Sequence, residues 1–131
     1  MRNKLKQSLL LLIIILPLIY SCASGPVVVP EDLTPQKIIQ SAQEATDLNR
    51  YRIAIGYYEA LLERFGTIGE YYCIGLYEIA FIHYKQRRFA EARQGFEYLV
   101  SLYEMDVGNT LPRRFKVLAE LLLVKITERG H

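Results

Sequence analysis

Arg50–Phe65, RYRIAIGYYEALLERF, and Arg88–Tyr103, RFAEARQGFEYLVSLY, are one pattern written twice, 38 residues apart. Superimposed without gaps, Arg50 falls on Arg88, Tyr51 on Phe89, Ala54 on Ala92, Tyr58 on Phe96, Glu59 on Glu97, Leu61 on Leu99 and Phe65 on Tyr103. An aromatic, a small residue three on and an aromatic four beyond that, repeated at such a period, mark a helix-turn-helix solenoid unit. The predicted class is therefore all-α: a short stack of helical hairpins, about two repeats and a C-terminal capping helix.

Outward from this echo, the flanking helices are legible. Thr34 is a good N-cap and Pro35 suits the first helical position, where its missing N–H costs nothing. Ile38, Ile39, Ala42, Ala45 and Leu48 then recur at helical spacing, and Asn49 ends the helix. The second helix, from about residue 50 to 65, is apolar around most of its circumference and must be covered on more than one side. A third helix is expected from about 70 to 86 and a fourth from 89 to about 103, with Arg87-Arg88 as their turn. Gly56, Gly75 and Gly95 lie inside helices, each costing about 1 kcal/mol relative to alanine, so close approach of a neighbouring helix is expected there. After a polar loop from Met105 to Thr110, Pro112 opens a fifth helix ending near Arg129. Its inward stripe is read as Phe115, Leu118, Ala119, Leu122 and Ile126, leaving Leu121, Leu123 and Val124 as surplus apolar positions for contact with a partner or a second copy.

These residues resemble the tetratricopeptide repeat. In the second unit Leu76, Ile79, Ala80 and His83 occupy its first-helix slots, and Ala92 and Phe96 its second-helix slots. Ala54 and Tyr58 do so in the first unit, where Ala42 alone matches the inner helix. The units run about 35–68 and 73–106, with the cap about 111–129; the period exceeds the usual one of about 34 by four residues, placed around Gly66 to Gly69. The ending Glu63-Arg64-Phe65 is similar in style to envelope lipoproteins of the outer-membrane-assembly (BamD-type) and cell-division-coordinating groups. The resemblance implies that the first helix of each unit lines a groove, here through Ile74, Tyr77, Phe81, Tyr84 and Lys85. Tyr77, Phe81 and Tyr84 share one helical face. That face either receives an extended or helical peptide or packs inside as core. Two repeats and a cap are fewer than the three units a stable stack usually needs, so reliance on a protein partner or on homodimerisation is expected.

The N-terminus reads differently. Residues 1–21 carry Arg2, Lys4 and Lys6, no acid, and the apolar run LLLLIIILPLI from Leu9 to Ile19. Basic then briefly apolar is a signal peptide pattern, and the run is short for a spanning helix. Leu18-Ile19-Tyr20-Ser21-Cys22 resembles the lipobox of bacterial lipoproteins, although Tyr20 stands where a small residue is usual. The resemblance implies an acylated Cys22 as the mature N-terminus and, with Ala23 following, an anchor in the outer membrane facing the periplasm. Residues 22–33, with two prolines and no helical period, read as an extended tether before a helical domain over 34–131. Cys73 then lacks an intramolecular thiol partner. It is read as a small buried hydrophobe, with a link between two chains as the alternative.

Without residues 1–21 the chain has 13 basic against 14 acidic residues, a formal charge of −1. That balance gives no sign of nucleic-acid binding, which needs a concentrated basic footprint. His83 has no acid or serine at triad spacing, the two histidines and two cysteines lack metal-ligand spacing, and phosphate-cradling glycine loops are missing. No catalysis, cofactor or metal is therefore expected. The reading is a membrane-anchored protein-interaction scaffold of the cell envelope, or a self-associating structural subunit of an envelope complex.

Overall fold

A computed structural model describes residues 25–130. The expected signal peptide over residues 1–21 and the expected acylation site Cys22 lie outside the described residues. Five helices follow one another: α1 Pro35–Asp47, α2 Tyr51–Phe65, α3 Gly69–Lys85, α4 Phe89–Met105 and α5 Arg113–Glu128. The described residues form no strand. Each helix packs chiefly on the next in sequence, and α3 also touches α5. The described residues are thus two helical hairpins, α1–α2 and α3–α4, with a fifth helix laid on the second.

The two hairpin turns are built alike. Asn49 and Arg87, 38 residues apart, both have a left-handed backbone, with φ of 55° and 61°. Behind them Arg50 N–H donates to Ala45 O at 2.8 Å and Arg88 N–H to His83 O at 2.9 Å. Asn49 N–H reaches Thr46 O and Arg87 N–H reaches Tyr84 O, both at 3.0 Å. This double bond pattern around a left-handed residue is the Schellman motif, which satisfies the last carbonyls of the helix and reverses the chain in three residues. At the other end of the first hairpin, Thr34 caps α1 by accepting from Lys37 N–H at 3.3 Å.

The four surplus residues of the repeat are not where the sequence put them. The α2–α3 connection is only Gly66–Ile68, and α3 begins at Gly69. α3 has 17 residues where α1 has 13, so the insertion is one additional turn of helix, Gly69–Tyr72. Helical continuation satisfies those backbone groups internally, which a loop would leave to solvent.

Two apolar clusters make the core. One gathers Ile38, Ala42, Ala54, Tyr58, Leu61 and Ile82 between the first hairpin and α3. The other joins Cys73, Ala80, Ala92, Phe96, Leu99, Phe115, Ala119, Leu122 and Ile126 from α3, α4 and α5. Ile74 touches both. Two of the interior glycines meet a helix as expected: a Cβ on Gly75 would lie 2.6 Å from Leu62 of α2, and one on Gly95 2.8 Å from Ala80 of α3.

Gly56 is different, because what approaches it is the N-terminal segment. A Cβ there would sit 2.6 Å from Val27. Val29 is buried in the first cluster. Arg52 donates to Gly25 O at 2.7 Å, while Arg64 donates to Pro30 O at 2.7 Å and Val29 O at 2.9 Å. Five extended residue steps span about 17 Å and twelve helical ones about 18 Å, so Gly25–Pro30 matches Arg52–Arg64 and runs parallel to α2 along its back. From Gly25 onward the stretch is clasped to α2 and is part of the fold.

Candidate functional site

The five groove residues proposed from sequence do not share one environment. Tyr77, Phe81 and Tyr84 do form a stack on α3, with ring centres 5.9 Å and 6.2 Å apart. The stack is roofed by the following helices. Tyr77 leans on Phe96 at 5.7 Å and on Phe115 at 5.9 Å, and Tyr84 meets Phe89 edge-on at 5.6 Å. The Arg129 guanidinium lies over Tyr84 and Phe89 at 5.7 Å and 5.9 Å. The three rings are half-buried parts of the second cluster. Lys85 points elsewhere, its Nζ 5.8 Å from the Tyr51 ring of α2, and Ile74 is partly buried between the two clusters.

On α5 the surplus apolar positions divide. Leu121 and Val124 are exposed, at 52% and 56%, whereas Leu123 packs partly against the second cluster. Leu118, expected on the inward stripe, is instead 40% exposed, and Val117 beside it is 62% exposed. The inward stripe is Phe115, Ala119, Leu122 and Ile126. The helix is therefore turned so that Val117, Leu121 and Val124 stand outward at i, i+4 and i+7, on one face.

That face has a counterpart in the chain. Forty residues earlier the same positions are Tyr77, Phe81 and Tyr84, the face with which α3 receives Phe89 and Phe96 of α4 and Phe115 of α5. The inward stripes correspond likewise, since Gly75, Ile79 and Ile82 of α3 fall on Phe115, Ala119 and Leu122. α5 thus packs on α3–α4 as α3 packs on the first hairpin, and offers the onward face of such a helix with none of the described residues covering it. The sequence signal was the forty-residue spacing, hidden because the aromatics are replaced by aliphatics.

Arg113, Arg114, Lys116 and Lys125 flank this stripe, against Glu120 and Glu128. Arg114 pairs with Glu70 at 2.5 Å and Lys116 with Glu120 at 3.9 Å. The border is net basic.

The interior also holds polar groups. Cys73 is buried, its thiol pushed up by burial, and its Sγ lies 3.6 Å from Tyr103 Oη. Tyr103 spends its proton on Pro112 O at 2.7 Å, so the thiol is the donor. The Tyr58 hydroxyl and His83 Nδ1 are buried without a hydrogen-bond partner. Burial holds His83 below the usual imidazole range, helped by Arg88, and raises Glu78 above the usual carboxylate range. Among the described residues there is no cluster of three or more His, Cys, Asp or Glu that could hold a metal ion, and no helix is long and apolar enough to cross a membrane.

An uncharacterized protein of Treponema pallidum (strain Nichols) is similar to this chain, 30% identical over 110 residues. The match covers 82% of this chain and 44% of that protein, so the chain spans less than half the length of the relative it matches. No family model matches the chain, and no solved structure does.

Proposed function

We propose that the chain is a tetratricopeptide-like protein-interaction scaffold, held to a bacterial envelope membrane by an acylated Cys22, whose terminal helix docks an amphipathic helix of another protein. One observation carries the reading: Val117, Leu121 and Val124 stand exposed on α5 at the register that Tyr77, Phe81 and Tyr84 use on α3 to receive a following helix pair. Apolar area of this kind gains on the order of 25 cal/mol per Å² when covered, and a helix laid along i, i+4, i+7 anchors is a common way to cover it.

The alternative is self-association through the same face. The border charges weigh against it, because two copies of α5 would bring together two net-basic flanks, and like charges across an interface suppress pairing. An acidic amphipathic helix from another protein suits the stripe better. The test combines the purified mature chain with envelope extract, beside Leu121→Asp and Val124→Asp variants. A stoichiometric foreign partner, lost in both variants, supports the scaffold. Concentration-dependent dimerisation, lost in the same variants with no foreign partner, supports the structural subunit. A partner retained by both variants refutes this site.

A further inference from the structure

The two ends of the helical stack differ in charge, and the N-terminal segment leaves from the basic one. The hairpins bring the α1–α2 turn, the α3–α4 turn and the C-terminus of α5 to one end. Their proximity is direct: a cleft is lined jointly by Asn49, Arg50, Arg52 and Gln86, and Arg129 reaches Tyr84 and Phe89. Within a turn of that end stand Arg50, Arg52, Lys85, Arg87, Arg88, Lys125 and Arg129, all exposed, against Glu44, Asp47, Glu91 and Glu128. Arg88 is paired with Glu91 at 2.8 Å, whereas Arg52 spends its hydrogen bond on a neutral carbonyl, Gly25 O. At the opposite end five basic residues meet six acids, and the pairs Arg64–Glu31 and Arg114–Glu70 tie the charges to one another. Since the mature chain carries −1 overall, the basic end is a segregation of charge, not a property of composition.

The direction of the N-terminal segment gives that segregation a partner. Gly25 is fastened beside Arg52 at the basic end, and Pro30 beside Arg64 at the other. From Gly25 back to Cys22 there are three residue steps, at most about 11 Å of chain. An anchor at Cys22 cannot place the opposite end against the bilayer without stripping the segment from α2, which would expose Val27 and Val29 and empty the approach over Gly56.

We infer that the basic end lies on the anionic phospholipid headgroups of the membrane carrying the anchor, so that the stack stands upright with α5 presented sideways to partners. The inference rests on the lipid-anchor reading for its geometry, and the charge supplies attraction that falls with salt. Leu48, 61% exposed in the α1–α2 turn, meets the headgroup layer first.

The chain has no tryptophan, so a single introduced one reports its own site. The full chain, made and processed in bacteria, carries Leu48→Trp at the basic end or Val107→Trp at the other, where Val107 is 98% exposed. Each is reconstituted in phosphatidylglycerol–phosphatidylcholine vesicles containing headgroup-spin-labelled lipid, and fluorescence quenching is read. The expected result is quenching of Leu48→Trp several-fold stronger than that of Val107→Trp. The difference should shrink in pure phosphatidylcholine, in high salt, and in an Arg50→Glu, Arg87→Glu, Arg88→Glu background. Equal quenching of the two sites, stronger quenching of Val107→Trp, or indifference to phosphatidylglycerol overturns the proposal. The anchor is read separately, from the intact mass of the purified chain. If Cys22 proves unmodified, Leu48→Trp quenching by anionic vesicles added to the free protein still decides whether the basic end binds them.

Discussion

Asn49 and Arg87 close the two hairpins with the same left-handed backbone, at φ 55° and 61°, though only the first is a residue suited to it. Left-handed geometry costs an ordinary L-residue about 1–2 kcal/mol, less for asparagine and nothing for glycine. Arg87 bears that cost because its N–H completes the Schellman motif on Tyr84 O. Arg87→Gly is therefore expected to stabilise the fold by about 0.5–1 kcal/mol, and Asn49→Ala to destabilise it. Urea melts of the variants without lipid check both signs; a loss of stability in Arg87→Gly would show that the side chain matters more than its backbone.

Tyr58 occupies in the first hairpin the slot Phe96 fills in the second, and its hydroxyl is buried with no partner. An unpaired buried hydroxyl costs about 1–3 kcal/mol in desolvation. Tyr58→Phe should accordingly raise stability by about 1 kcal/mol, read as an increased urea midpoint at unchanged slope. A destabilised variant would mean the hydroxyl has a partner in solution.

Tyr77 and Leu121 stand on corresponding faces of α3 and α5 but differ in burial, and their truncations should differ. Tyr77→Ala removes a ring wedged against Phe96 and Phe115 and is expected to cost about 3 kcal/mol, near the lower end for buried aromatics. Leu121→Ala, at an exposed position, should stay within about 0.5 kcal/mol. Thermal melts compare the two directly. A cooperative, nearly unshifted melt for Tyr77→Ala would return the aromatic face to the role of an open groove.

His83 gives the fold a dependence on pH. Its imidazole is held below the ordinary value by burial and by Arg88, with Glu91 acting the other way. Unfolded histidine titrates near about 6.5, so above that pH both states are neutral and the contribution to stability is complete. As pH falls through that value the unfolded chain takes up the proton first, and stability declines until the folded group also titrates. Glu78, raised by burial, acts oppositely: its destabilising charge disappears as pH falls through its folded pKa. Denaturant midpoints between neutral and mildly acid pH, in a Glu78→Gln background, should fall for His83 and remain flat for His83→Asn. Parallel slopes in the two proteins would contradict the assignment.

Much of the architecture was legible because it depends on local chemistry. The echo of Arg50–Phe65 in Arg88–Tyr103, the Thr34-Pro35 start and the break at Asn49 are signals written in the local sequence. Cys73 was read as a small buried hydrophobe, and so it is. What escaped depends on distant partners or on rotation. Nothing in Gly25–Pro30 announces that Arg52 and Arg64, 27 and 34 residues onward, will clasp it. Within Leu121-Leu122-Leu123-Val124 every position is apolar, so periodicity cannot fix the rotation of α5. The choice between Leu118 and Leu123 was settled by Phe115 against Tyr77. The four surplus residues were placed around Gly66 to Gly69, not in the first turn of α3, because repeat spacing counts residues without saying whether they coil or wind.

The central claim, that the outward face of α5 docks a foreign helix, is tested most directly by placing a photo-crosslinking amino acid at Leu121 or at the exposed control Val107 in cells with an intact envelope. The account predicts one discrete adduct with another protein from Leu121, lost when Val117 and Val124 are both changed to aspartate, and no such adduct from Val107. The same adducts from both positions, or an adduct from Leu121 containing only a second copy of this chain, would contradict it.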